Sequence, residues 1–311
     1  MTALICGSYA YDNIMVFHDR FKNHILPDKV HMLNVSFLVP DMRREFGGCA
    51  GNIAYSLNLL APGAALPMAT VGSDFAPYGA WMDECTISRQ HIKLIDDSFT
   101  GQAFITTDLD DNQITAFHPG AMSLSHQNRV SDAGGVTIGI VSPDGRDGMI
   151  AHAEQFAEAR IPFVFDPGQG LPMFSGEDLM RFVEQATWAI FNDYEMQLMQ
   201  DRTGKTPHEL TEQLDGLIVT RGAEGSVIYT KAHRLEIPAA KASELNDPTG
   251  CGDAYRGGLL YGLMNQMDWQ TTGQIASLMG AICVAKHGTQ NHVLNKGDLE
   301  QLYQDNFGYS L

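Results

Sequence analysis

The sequence predicts an α/β protein: a doubly wound, mostly parallel sheet flanked by helices, with a small β-sheet lid. Two observations carry this. Short apolar runs alternate with segments of helical spacing through most of the 311 residues, the rhythm of a parallel sheet covered on both faces. Early in the chain, strand-like segments with one wet face interrupt that rhythm. They suit a second, smaller sheet over the C-terminal ends of the parallel strands, where α/β proteins bind ligands. The length is ample for a core without disulfides. A single domain over residues 1–311 is expected, its lid formed by about residues 12–45 and 99–121.

Ala3–Gly7 is an apolar run ending in Gly, a buried strand. Asn13–Phe17 and Leu33–Val39 read as strands around a polar segment containing Pro27. After Gly47-Gly48, the positions Ile53, Leu57 and Leu60 keep helical spacing. Leu66–Val71 is a strand, and Asp74 can cap a helix running to about Glu84. Gln102–Asp108 and Gln113–Pro119 alternate apolar and polar residues around Asp110-Asp111-Asn112, as a hairpin does. Strands follow at Val136–Val141, Pro162–Phe165, Trp188–Phe191, Gly216–Thr220 and Ser226–Tyr229. Helices are expected at Met149–Arg160, after Ser175 in capping-box style with Asp178, and at Asp193–Gln200, Gly250–Gln266, Thr271–Lys286 and Asp298–Gln304.

Composition narrows the partners. Lys and Arg number 20 against 37 Asp and Glu, a net charge of −17. Such a surface repels nucleic acid and anionic lipid, so neither is expected as a partner. Small phosphorylated ligands stay open, because backbone N–H groups can hold an anion locally. Five cysteines, widely spaced and without C-x-x-C, argue against a disulfide framework or a cysteine zinc site and suit a reducing, cytoplasmic setting. Met1–Val16 does not read as a signal peptide, and no apolar run reaches membrane-spanning length. Gly204-Lys205-Thr206 resembles the end of a phosphate loop, but Met199 stands where the first Gly belongs, so a helix-start turn before Pro207 is the better reading.

Four segments carry the chemistry. In Asn246–Gly258, Gly250 and Gly252 sit where loop becomes helix, and the N–H groups of Gly250, Cys251 and Gly252 can cradle a developing anion at the helix's positive end, with Asp253 in the first turn. An Asp that simply caps the helix explains the same residues about as well. Glu45–Asn52 holds Gly47-Gly48 before a helix; it permits close approach of a ligand, with Asn52 to read a hydroxyl, or is only a turn. Asn192-Asp193-Tyr194-Glu195 follows an apolar strand; Glu195 can hold Mg²⁺ through water, or the segment is a capped helix. Thr220, Gly222 and Gly225 can pass beneath a nucleotide or form a hairpin turn.

Together and in this order, these segments resemble the ribokinase family of sugar and nucleoside kinases over essentially the whole chain. Within the family the chain is similar to the actinobacterial-type adenosine kinases, through Ser8–Asp12, Ser36–Val39, Gly47–Ala54, Pro119–Met122, Asn192–Glu195, Asp247–Gly250 and Gly288–Gln290. The resemblance implies ATP-dependent phosphorylation of a purine nucleoside 5′-hydroxyl, adenosine to AMP first. A sugar kinase or an inosine–guanosine kinase of the same family is the alternative, and a non-catalytic nucleoside-binding protein a further one. It implies that Ser8, Asp12, Gly48 and Asn52 serve the ribose end, that Phe104 and Phe117 cover the purine with Gln169 near it, and that Asn192, Thr220, Gly222 and Gly225 meet the nucleotide. Asp253 is the expected base, and a weak one, since a helix N-terminus favours the carboxylate. Cys251 and Pro248 depart from the common family motif; the Cys251 thiol is either reactive or buried and inert. Some members bind a monovalent cation such as K⁺ near the last loop, where Asp247 and the Cys283–His292 region lie. Arg43, Arg44 and Arg256 are candidate phosphate contacts, Arg43 and Arg44 better read as exposed. A homodimer is compatible with the family; oligomeric state is not legible.

Overall fold

The computed structural model describes residues 1–25, 32, 34–110, 112–295 and 297–311. In chain order the first half holds β1 (Ala3–Cys6), β2 (Ala10–Val16), β3 (Asp41–Gly47), α1 (Cys49–Leu60), β4 (Ala65–Gly72), α2 (Ala76–Glu84), β5 (His91–Ile95), β6 (Gly101–Thr107), β7 (Gln113–His118), β8 (Ile138–Val141) and α3 (Arg146–Glu158). The second half holds β9 (Phe163–Phe165), α4 (Gly176–Gln185), β10 (Trp188–Asn192), α5 (Asp193–Thr203), α6 (Pro207–Leu210), β11 (Gly216–Thr220), β12 (Ser226–Tyr229), β13 (Arg234–Ile237), α7 (Cys251–Met264), α8 (Trp269–Val284) and α9 (Asp298–Phe307).

The large sheet runs β13-β12-β11-β10-β9-β8-β1-β4-β5. It is parallel from β11 to β5, and β12 and β13 add an antiparallel edge. Its central strands are apolar throughout because helices cover both faces: β1, β8 and β9 are wholly buried. Ile5, Ile53, Ile140 and Leu259 pack on one side, and Leu4, Val141, Phe156 and Phe165 on the other. The chain leaves β1 for β4 on one flank and returns to β8 on the other. That reversal opens a crevice at the strands' C-terminal ends, where Ser8 N–H donates to Pro143 O at 3.0 Å.

Over the crevice lies a second sheet, ordered β3-β2-β6-β7. β6 and β7 form the expected hairpin, and β2 pairs β6 in parallel. The expected strand Leu33–Val39 does not form. Leu33 lies outside the described residues, and 34–39 join no ladder; Phe37 instead packs its ring on Phe17 and Phe21. The charged Asp41–Gly47 segment takes the place beside β2, tolerated because an edge strand over a wet crevice need not be apolar. β5 and β13 were likewise not anticipated from the sequence. Asp74 does not cap α2. Its carboxylate accepts from Thr100 N at 2.7 Å and Gln102 Nε2 at 2.9 Å, tying the large sheet to β6. The capping box at Ser175–Asp178 forms, and Thr206 caps α6 just as the helix-start reading of Gly204-Lys205-Thr206 requires.

Candidate active site

Gly48 joins β3 to α1 as the helix N-cap with φ +86°, and a Cβ there would sit 2.6 Å from the backbone of Ser8, Tyr9 and Ala10. Only glycine lets the two segments touch. Ser8 reinforces the contact: its Oγ accepts from Cys49 N at 3.1 Å. The first turn of α1 thereby delivers Asn52 into the crevice. Asn52 Nδ2 donates to Asp253 Oδ2 at 2.8 Å, and its Oδ1 accepts from Gln290 Nε2 at 3.0 Å. Gln290 in turn donates to Tyr78 Oη at 2.6 Å. Asn52 is therefore held from behind while it holds Asp253 in front.

Asp253 lies in the first turn of α7, whose N-cap Gly250 has φ +79°. Burial pushes its carboxyl up to about 6, with Arg256 and the Asn52 hydrogen bond opposing the rise. This corrects the expected weak base: desolvation outweighs the helix terminus. Asp12 is also raised to about 6, by burial and then by Glu45 and Asp247. Of the N–H groups expected to cradle an anion, that of Cys251 is engaged by Pro248 O at 3.2 Å. Those of Gly250 and Gly252 have no hydrogen-bond partner among the described residues. The Cys251 thiol is partly buried, donates to Asp247 O at 3.8 Å, and is lowered by hydrogen bonding with Cys283. Asp247 Oδ2 accepts from Gly288 N at 3.1 Å, so the loops before α7 and after α8 are stitched together.

Two cavities meet at Asp253. One, about 570 Å³, is roofed by the small sheet and lined by Ser8, Asp12, Gly48, Asn52, Phe117 and Gln169 among others. The other, about 580 Å³, is lined by Asp166, Asn192, Glu195, Thr220, Gly252 and Arg256 among others. Cys49, Pro143, Gln169, Gly250 and Asp253 belong to both walls.

Not every expected residue arrives. Phe104 does not share a face with Phe117. β6 and β7 pair Ala103 with Phe117 and Phe104 with Ala116. Neighbouring strand residues point to opposite faces, so Phe117, Ala103 and Ile105 line the cavity while Phe104 stands outside it. Gly222 and Gly225 lie in the turn between β11 and β12, where Arg221 N donates to Gly225 O at 2.8 Å, and line neither cavity. Arg43 and Arg44 are on β3, Arg43 near Glu45 and Asp247, Arg44 over the Tyr11 ring. The sequence reading missed Asp166 as a site residue; the strand-ending Asp166-Pro167-Gly168 was its signal.

Asn192 and Glu195 form a complete capping box. Asn192 Oδ1 accepts from Glu195 N at 2.7 Å and Glu195 Oε2 accepts from Asn192 N at 2.8 Å. Burial raises the Glu195 carboxyl, and Asp166 adds to this. No cluster of three or more His, Cys, Asp or Glu among the described residues can hold a metal unaided. Mg²⁺ needs few protein ligands because it dehydrates reluctantly, and Glu195 on the cavity wall would hold it through water.

The model of the pfkB family carbohydrate kinases matches residues 10–296. A solved nucleoside kinase of Burkholderia thailandensis, in complex with inosine, is 50% identical with a TM-score of 0.91, and 99% of each chain is covered. The solved nucleoside kinase of Methanocaldococcus jannaschii, an archaeal ribokinase-family member, is 27% identical with a TM-score of 0.87 over 98% of this chain and 99% of that one. A nucleoside kinase of Methanothermobacter thermautotrophicus is 30% identical over 303 residues, 96% of this chain and 97% of its own. The fold is ribokinase-like, and the chain belongs to the pfkB family of carbohydrate kinases.

Proposed function

We propose that the protein transfers the γ-phosphoryl group of ATP to the 5′-hydroxyl of a purine nucleoside. The observation that carries this is the junction of the two cavities at Asp253. A sugar hydroxyl entering from the roofed side and a phosphoryl group entering from the other side meet at one carboxylate. In the roofed cavity, Asp12 and Asn52 offer polar groups to ribose, and Phe117, Ile105 and Met122 offer an apolar wall to a flat base. The inosine complex of the Burkholderia kinase supports a nucleoside over a bare sugar. Asp253 takes the hydroxyl proton as the oxygen attacks. Phosphoryl transfer has a loose transition state, so positioning and charge stabilisation supply most of the rate. The N–H groups of Gly250 and Gly252 face the charge of the transferring group. Glu195 would hold hydrated Mg²⁺, which neutralises phosphate charge when bound. The small sheet acts as a lid that keeps water from competing with the alcohol.

A coupled ADP-release assay across adenosine, inosine, guanosine, ribose and fructose tests this. Turnover with adenosine or inosine well above that with ribose and fructose is expected. Preference for a free sugar, or no ADP release with any acceptor, overturns the reading.

A further inference from the structure

We propose that Arg256 is the cation that meets the transferring phosphoryl group, and that Asp166 is the positioning residue that aims it; this rests on the kinase reading above. Among the described residues lining the two cavities, Arg256 is the only Lys or Arg. It lies three positions after Asp253 on α7, on the same helix face. Asp166 sits just past β9, at the C-terminal end of the sheet, opposite α7.

The guanidinium is held in a defined pose. Nη2 donates to Asp166 Oδ1 at 2.6 Å, Nε donates to Asp166 Oδ2, and Nη1 donates to Gly252 O at 3.0 Å. Both side chains are buried. A guanidinium has five N–H donors, and these bonds occupy three of them. One N–H on Nη1 and one on Nη2 have no partner among the described residues, and the side chain lines the second cavity. That cavity's wall also carries Asp166, Glu195 and Asp253, so without Arg256 no cationic side chain among the described lining residues would offset their charge toward a triphosphate. Burial lowers the affinity of Arg256 for its proton, but Asp166 overrides this and keeps the guanidinium charged.

The step balances without a further reactant. The O5′–Pγ bond forms, the bond from Pγ to the β,γ-bridging oxygen breaks, the hydroxyl proton passes to Asp253, and ADP leaves. Arg256 forms no covalent bond; its free N–H groups bind equatorial oxygens whose charge is greatest during transfer. An arginine supplied this way is a known device of phosphoryl-transfer enzymes. The same cation lowers the Asp253 carboxyl against burial, which links transition-state charge to the state of the base.

The test uses the full chain as wild type, Arg256→Gln, Arg256→Lys, Asp166→Asn and the double variant Asp166→Asn/Arg256→Gln. Steady-state kinetics are measured across pH, with ADP affinity by calorimetry and thermal melting. Arg256→Gln should lower kcat by about 10²-fold, with a much smaller change in ADP affinity, because the interaction is made mainly in the transition state. Its acid limb in kcat/KM should move to higher pH. Arg256→Lys should restore part of kcat, as a point charge without the fork. The double variant removes both buried charges, so it should melt near wild type yet remain slow. A double variant that regains wild-type kcat would show the pair to be structural and overturn the inference. So would an Arg256→Gln enzyme with unchanged kcat and pH profile. Wild-type protein without nucleoside phosphorylation overturns the underlying reading instead, and the two failures are told apart by that control.

Discussion

Asp253 carries a conflict between stability and activity. Its folded-state pKa of about 6 lies above the ordinary 3.8 because burial disfavours the charge. The neutral form is thus favoured by folding, while the proposed base must be ionised. Below the unfolded value the burial cost is absent. As pH rises through about 6 the carboxylate forms in the folded protein and stability is lost. Asp253→Asn should therefore raise Tm at pH 8 and leave it nearly unchanged at pH 4, since Asn can still accept from Asn52 Nδ2. The same variant should lose kcat by about 10²–10⁴-fold. Wild-type kcat/KM should fall as pH drops below about 6. A loss of kcat under about tenfold would remove Asp253 as the base. The position of this residue was legible in the sequence, because Gly250-Cys251-Gly252-Asp253 announces a loop becoming a helix. Its strength as a base was not. That strength is set by burial, opposed by Arg256 and by the hydrogen bond from Asn52, 201 residues away in the chain, and no local spacing reveals the balance.

At the scale of elements, strand register decides what the lid can touch. A shift of one residue sends a side chain to the other face. Phe104 and Phe117 looked equivalent as aromatics on neighbouring strands, but pairing depends on the turn joining them, and the ladder sets Ala103 opposite Phe117. Phe117→Ala should raise KM for the nucleoside by roughly tenfold, the scale of one aromatic–base stack. Phe104→Ala should stay within about twofold, as a surface change does. Steady-state KM for both variants checks this; a larger effect at Phe104 would mean that the base lies elsewhere. Asp108 couples the lid's parts, accepting from Phe21 N at 2.8 Å with Oδ2 and from Asn112 N at 2.9 Å with Oδ1. Lys22 also pairs with Asp110. These bonds tie Phe21 and Lys22 to the turn between β6 and β7. The missed strand β3 shows a related limit: its Asp, Arg and Glu residues carry no apolar alternation, and only the geometry of β2 and the crevice explains a strand there.

For the whole molecule, the alternation of strands and helices was enough to foresee a parallel sheet and a site at its C-terminal edge. Strand order was not, because the reversal between β1 and β8 is a tertiary choice. The order matters for charge. At −17, the surface repels ATP, and on the proposed reading the crevice would meet it with backbone N–H groups at Gly250 and Gly252 and with Arg256, the one Lys or Arg among the described residues lining the two cavities. A site made of exposed lysines weakens steeply as salt screens it. This one should not: Arg256 is shielded by burial, and salt also screens the long-range repulsion between protein and ATP. Raising KCl from about 50 mM to about 500 mM, which shortens the Debye length from roughly 14 Å to roughly 4 Å, should change KM for MgATP by less than about threefold. Steady-state kinetics at fixed free Mg²⁺ measures it. A KM that climbs tenfold or more over that range would mean that exposed basic residues, Arg43 and Arg44 first among them, carry the triphosphate after all.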